Sequence, residues 1–297
     1  MASRVSPGGR GGEVTHADLA RLRRAAGRTV DPARSLFGPQ SLSWRVNRET
    51  TLLLAGGRAL LLQIAHPLVA AGVADHSRFE HEPLQRLWRT LDLTLTMVFG
   101  SAADALAAVQ QIERVHAHVH GRLQQDVGPF RRGTRYDAND PRLLLWVHAT
   151  LVDSGLCAYE RFVTPLSAAD RSALYEESRV SARLFGIPPR LIPPTFRDFR
   201  RYMRDMLGGP TLAVGESGRA IAAALLSPPL PFGIRHVAGM TRLFTIGLLP
   251  APIRRRYGYA WSSLHEGALQ AATLAIRSGL PVLPSLVRDF PHARRAS

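Results

Sequence analysis

The sequence contains no lysine: all 38 basic residues among its 297 are arginine. Arginine does not deprotonate near neutrality, so the formal charge of +15 is fixed. Only 23 acidic residues oppose it. Such a surplus suits an anionic membrane surface, a nucleic acid or an acidic ligand. Cysteine is almost absent. With Cys157 alone the chain can form no internal disulfide, no cysteine-based zinc finger and no iron–sulfur cluster of its own. Aromatic residues are sparse, at 7%. The basic clusters Arg200-Arg201 and Arg254-Arg255-Arg256 therefore lack the aromatic interleaving of a strand-binding groove, and no nucleic-acid partner is expected. Long apolar runs are missing too. The most apolar window, Thr51 to Ala74, is interrupted by Arg58, Gln63, His66 and Pro67. Its longest uncharged run falls short of the roughly 18 residues of a spanning helix. Met1 to Thr15 is rich in Gly, Ser and Arg and carries no apolar run, so no signal peptide is expected. The expectation is a cytoplasmic protein, with peripheral membrane contact permitted. No Walker A motif and no G-x-S-x-G elbow occurs, and the Gly-Gly pairs at 56–57 and 208–209 follow no strand.

What the chain does have is apolar residues at helical spacing, 45% hydrophobic overall. Leu84, Leu87, Leu91, Leu95 and Val98 recur at three-to-four intervals after Pro83, a favoured first-turn residue. Ser101 with Asp104 reads as a capping pair for a helix running to about Leu123. Gly128 to Asp140 reads as a loop. Asp140-Pro141 starts a long apolar helix over Leu143–Phe162, and Ser167 to Asp170 caps the next. Further helices are expected over Thr195–Leu207, Thr211–Leu226, Arg235–Leu248 and Trp261–Ser278. Alternating strand-type runs are essentially lacking. These patterns predict an all-α, single multi-helix domain of roughly eight to eleven helices. Residues 1–42 are expected to form a flexible tail and a short basic helix, and residues 43–297 the helical domain.

Eleven histidines are the main polar resource, and several lie in apolar helical runs where each needs a partner. On one continuous helix His116 and His120 share a face and His118 points away. The run His-Ala-His-Val-His does not match the metalloprotease pattern H-E-x-x-H. Surface or core histidines, a zinc site and an iron site all remain open at this point. His66-Pro67 breaks a helix inside the apolar window, where the imidazole either caps freed backbone groups or points into a cavity. Arg86, Arg89 and Thr90 share one helix face, suited either to carboxylates or to solvent. His148, Asp153 and Glu160 lie on the long apolar helix, where buried pairing is the simplest role. Cys157 reads as a buried, inert thiol.

Several ordered motifs resemble one family. They are Gly57-Arg58-Ala59-Leu60-Leu61-Leu62-Gln63-Ile64-Ala65-His66-Pro67 and Gly72-Val73-Ala74-Asp75-His76-Ser77, then Arg86-Leu87-Trp88-Arg89-Thr90 and Val98-Phe99-Gly100. Arg114-Val115-His116-Ala117, Leu144-Leu145-Trp146-Val147-His148-Ala149-Thr150 and Tyr159-Glu160-Arg161-Phe162 follow in the same order. The chain resembles the haem oxygenases that include the latex-clearing rubber oxygenases and fungal MpaB, closely over Ser43 to Leu207 and loosely beyond. That resemblance implies a globin-like helical core around haem b, with His116 as the proximal iron ligand. It further implies that His66, His120 and His148 are candidates to line the haem pocket, and that Arg86, Arg89 and Thr90 act near the iron. Apolar walls over Leu60–Val73 and Leu143–Leu156 would shape the substrate pocket.

Two features depart from the rubber oxygenases. Arg89 stands where they place a lysine able to approach the iron. No acidic residue occurs in Val69–Gly72, where their proposed base would fall; Asp75, Glu80 and Glu82 are the nearest alternatives. A guanidinium is a poor iron ligand, so the distal position is expected to be open, water-filled or guarded by Arg89; the missing acid, with no export signal expected, points away from polyisoprene. The expected activity is oxygenation, with dioxygen, of an apolar, olefinic or isoprenoid/lipid-like small molecule. A non-catalytic haem sensor or carrier and a haem-free lipid- or membrane-binding module are the alternatives.

Overall fold

The computed structural model describes residues 14–77, 83–227 and 235–296, and their side chains apart from those of 83–89 and 235–238. Among the described residues there are fifteen α-helices and one two-stranded hairpin. The fold is all-α, as the apolar periodicity predicts. The helix count exceeds the expected eight to eleven because short segments such as α2 (Leu42–Asn47), α12 (Ala251–Tyr257), α14 (Ser285–Arg288) and α15 (Pro291–Ala296) form one or two turns each. Segments this short carry too few apolar repeats to register as periodic.

The centre is built on α3 (Gly56–Ile64), α4 (Pro67–His76) and α7 (Pro141–Phe162). Every residue of α3 from Gly57 to Ile64 is buried. The chain enters α3 through a 3-10 segment, Thr50–Ala55, rather than the continuous helix expected from Thr51. Pro67 then opens α4 at its first turn, where its missing N–H costs nothing. The axes on either side of this break differ by 105°. The long helix α7 is capped by Asp140, whose carboxylate accepts from the Arg142 N–H at 2.8 Å. Trp146 on α7 is wholly buried and donates from its indole to the Gln63 carbonyl at 3.3 Å. One ion pair crosses this interior. Arg58 on α3 donates to Asp153 and Ser154 on α7 and, at 2.9 Å, to the Leu248 carbonyl.

Around this centre pack α8 (Ala168–Leu184), α9 (Phe196–Gly208), α10 (Glu216–Leu226), α11 (Arg235–Gly247) and α13 (Ser263–Gly279). Glu177 of α8 accepts from the Leu42 and Ser43 N–H groups at 3.1 and 2.6 Å, so a carboxylate from a remote helix serves the positive end of α2. The basic helix α1 (His16–Ala26) packs on α8 and on α6 (Ala102–His116). Leu22 and Ala25 enter a core cluster with Leu106, Val109 and Leu184. Residues 1–13 lie outside the described residues.

Three expectations are corrected, the first being that α10 begins at Glu216 instead of Thr211. The helix opened by Ser101 and Asp104 has its capping box, but it ends at His116 instead of about Leu123. Residues His120–Arg122 (β1) pair antiparallel with Arg135–Asp137 (β2) instead, inside the segment expected to be a loop. The reason lies at Gly121, which faces Tyr136 across the hairpin. A Cβ on Gly121 would come within 2.5 Å of the Tyr136 hydroxyl, so any other residue there would displace the Tyr136 ring.

Candidate active site

His116 is the last residue of α6 and is half-buried. Its carbonyl accepts from the Val119 N–H at 2.9 Å, which turns the chain out of the helix. One turn earlier Glu113 is held in two-pronged fashion by Arg21 of α1, at 3.1 and 2.5 Å. The helix end that carries His116 is therefore held by α1, and the chain turns from it into the hairpin. The helix α5 (Pro83–Phe99) joins α6 through Gly100 and Ser101 and packs along it. Arg86, Arg89 and Thr90 stand in the N-terminal half of α5. Thr90 is half-buried, and its carbonyl accepts from the Thr94 hydroxyl at 2.9 Å. The Arg86 and Arg89 side chains, with Glu80 and Glu82, lie outside the described residues.

The other histidines separate. With the helix ended at His116, the shared helical face of His116 and His120 does not form. His118 is exposed, with Nδ1 2.9 Å from the Arg114 carbonyl. His120 is exposed on β1. His66 is buried and caps α4, its Nδ1 accepting from the Leu68 N–H at 3.3 Å. An accepting Nδ1 puts the proton on Nε2, which makes that nitrogen a donor. Burial lowers the His66 pKa to about 4. His148 is lowered to about 4 by burial as well, opposed by a hydrogen bond with the Ser178 backbone, which sets it against α8. Both rings are neutral at pH 7.

A polar group that the sequence did not single out sits between α4 and the hairpin. The Tyr136 hydroxyl donates to Asp75 at 2.5 Å. His76 Nε2 lies 3.2 Å from the Tyr136 oxygen and 3.2 Å from the His120 carbonyl. A carbonyl only accepts, so His76 Nε2 carries the proton. Burial and the Asp75 bond push the Tyr136 pKa well up, so the phenol stays protonated. Asp75 and His76 stand in the Gly72–Ser77 motif, but Tyr136, sixty residues on, carried no local signal. A cavity of about 200 Å³ lies beside this group, lined among others by Ala71, Asp75, Leu123 and Gly218. Of the expected apolar walls, Leu61, Leu62 and Ile64 are wholly buried in the core, Ala70 and Ala71 line the 200 Å³ cavity, and Leu156 lines a second one.

The geometry and the ordered motifs agree with one assignment: the chain belongs to the family described as ER-bound oxygenase mpaB/B'/Rubber oxygenase, catalytic domain, whose family model matches residues 44–278. It is thus an oxygenase-type catalytic domain. Two curated relatives are uncharacterized proteins, Rv2237 of Mycobacterium tuberculosis and Mb2261 of Mycobacterium bovis. Each is 25% identical over 232 residues, covering 76% of this chain and 87% of the relative. No solved structure matches the chain. Among the described residues no single helix is long and apolar enough to cross a membrane.

Proposed function

We propose that this chain is a haem b-dependent oxygenase that uses dioxygen on an apolar, olefinic or isoprenoid/lipid-like small molecule, with His116 as the iron ligand. The observation that carries the reading is half-buried His116, at the end of a helix braced by α1, within the segment shared with the oxygenase family. The donor set suits a haem. Among the described residues no group of three or more His, Cys, Asp or Glu side chains is arranged to hold a metal ion. An iron bound there would take one imidazole from the protein and its remaining equatorial ligands from a tetrapyrrole.

When bound, the haem supplies the activation of dioxygen. The protein's part is placement and electrostatics. The Arg21–Glu113 pair and the Val119 turn hold the His116 backbone, and so restrict where its ring can point. Arg86 and Arg89 supply fixed positive charge on the neighbouring helix, matched to the carboxylates of the haem edge, and Thr90 adds a hydroxyl on the same face. The protonated Nε2 of buried His66 offers a neutral hydrogen-bond donor. The Asp75–Tyr136–His76 group ties the hairpin to α4.

The reading is tested by dioxygen consumption and product analysis with a panel of isoprenoid and unsaturated fatty-acyl substrates. Oxygenated cleavage products that disappear in His116→Ala support it. Haem binding with no turnover across the panel would favour a sensor or carrier.

A further inference from the structure

A cavity of about 590 Å³ lies between α7, α8, α9 and Pro250, and His116 does not line it. Its volume is in the range of small-molecule sites, roughly 300–1,000 Å³. Its lining is part apolar, with Leu156, Phe196, Met203 and Leu207. It is part charged, with Arg58, Arg171, Arg200 and Arg204 against Asp153 and Glu160. Four guanidinium groups against two carboxylates leave a surplus of two positive charges.

Both carboxylates are already engaged. Asp153 accepts from Arg58 on one oxygen and from Arg200, at 3.1 Å, on the other. Glu160 accepts from Arg171 at 2.6 Å. The Arg204 side chain makes no hydrogen bond or ion pair with any described residue. The surplus charge therefore resides on Arg204 and on the part-used guanidinium of Arg200, on the same helix as the apolar lining residues Phe196, Met203 and Leu207. The buried Arg58–Asp153 pair fixes the floor of the cavity, so the surroundings of these two arginines are preorganised.

We propose that this cavity binds a small amphiphile with one anionic head, a carboxylate or a phosphate. The head pairs with Arg204 and Arg200, since a planar guanidinium matches either oxyanion in two-pronged fashion. The apolar body lies along Phe196 and Leu207. The site is separate from the oxygenase reading and stands whether or not His116 binds iron.

The test is a calorimetric titration of the purified full chain with decanoate, decyl phosphate and 1-decanol. The expected result is one site per chain for an anionic probe, with decanol at least tenfold weaker. Arg204→Gln should weaken the anion at least tenfold, and Arg204→Lys should restore part of the loss. Arg204 is exposed, so neither variant endangers folding. Cys157, the only cysteine, lines the same cavity, so the bound anion should slow its alkylation by iodoacetamide. Whichever anion binds more tightly identifies the head group. Decanol binding as tightly as the anions, no effect of Arg204→Gln, no protection of Cys157, or no binding of either anion would each overturn the proposal.

Discussion

Arg58 donates from α3 to the carboxylate of Asp153 on α7, with both side chains almost out of solvent, at 5% and 7% exposure. The pair joins the two helices at the centre of the fold. Its value lies in completeness. Removing one partner leaves the other charged in the interior, at a cost of about 3–5 kcal/mol. Asp153→Ala is therefore expected to lower the unfolding free energy from chemical denaturation by that amount, with Arg200 also losing its partner. A double replacement, Arg58→Met with Asp153→Leu, should cost less than either single change. A single change worth under about 1 kcal/mol would contradict this account.

Two glycines on neighbouring helices should respond in opposite directions. Gly57 in α3 faces Thr245, which is buried at 1% exposure, and an added Cβ would overlap the threonine hydroxyl. Gly57→Ala is expected to destabilise by about 1–3 kcal/mol through overpacking. Gly155 in α7 has no atom within 4 Å of the same added group. There alanine favours the helix, and Gly155→Ala should raise stability by about 0.5–1 kcal/mol. Thermal melts of the two variants side by side check both signs.

Acid should destabilise the protein through its buried histidines. His66 and His148 have folded pKa values of about 4, below the ordinary value of 6.5, because burial disfavours their charged forms. The unfolded chain therefore binds more protons between pH 6.5 and pH 4. Their contribution is fully present above pH 6.5 and is lost as the pH falls toward 4. His66→Asn keeps a capping side chain for α4 but removes one titration. Its melting temperature should fall less steeply than that of the wild type between pH 7 and pH 4. Parallel curves would show that His66 takes no part.

The hydroxyl of Tyr136 fastens the hairpin to α4. Tyr136→Phe removes the bond to Asp75 and leaves that carboxylate half-satisfied, at a cost of about 1–2 kcal/mol. Amide exchange at residues 121–123 and 134–137 should quicken more than exchange in α7. Uniform change throughout the chain would argue against a local tether.

The helical frame was legible because its punctuation is local. Ser101 with Asp104, Asp140 with Pro141, Ser167 with Asp170, and Pro83 each mark a helix start, and each helix begins there. The hairpin was not legible, since three-residue strands leave no alternation to read, and Gly121 declares its purpose only once Tyr136 lies across it. The same limit applies to the site. His116 could be singled out by its motif, and His66 by its proline. The bracing of His116 by Arg21 and Glu113, and the meeting of Asp75 with Tyr136, depend on residues sixty to ninety positions apart. Overlaying a helical face on His116 and His120 failed because the helix ends between them.

The most direct test of the central claim is the absorption spectrum and haem content of wild type and His116→Ala, both purified from haem-supplied cells. The account predicts about one haem per chain and a Soret band in the wild type, and loss of haem or a changed iron coordination in the variant. A folded wild type without haem, or a variant with unchanged haem content and spectrum, would contradict it.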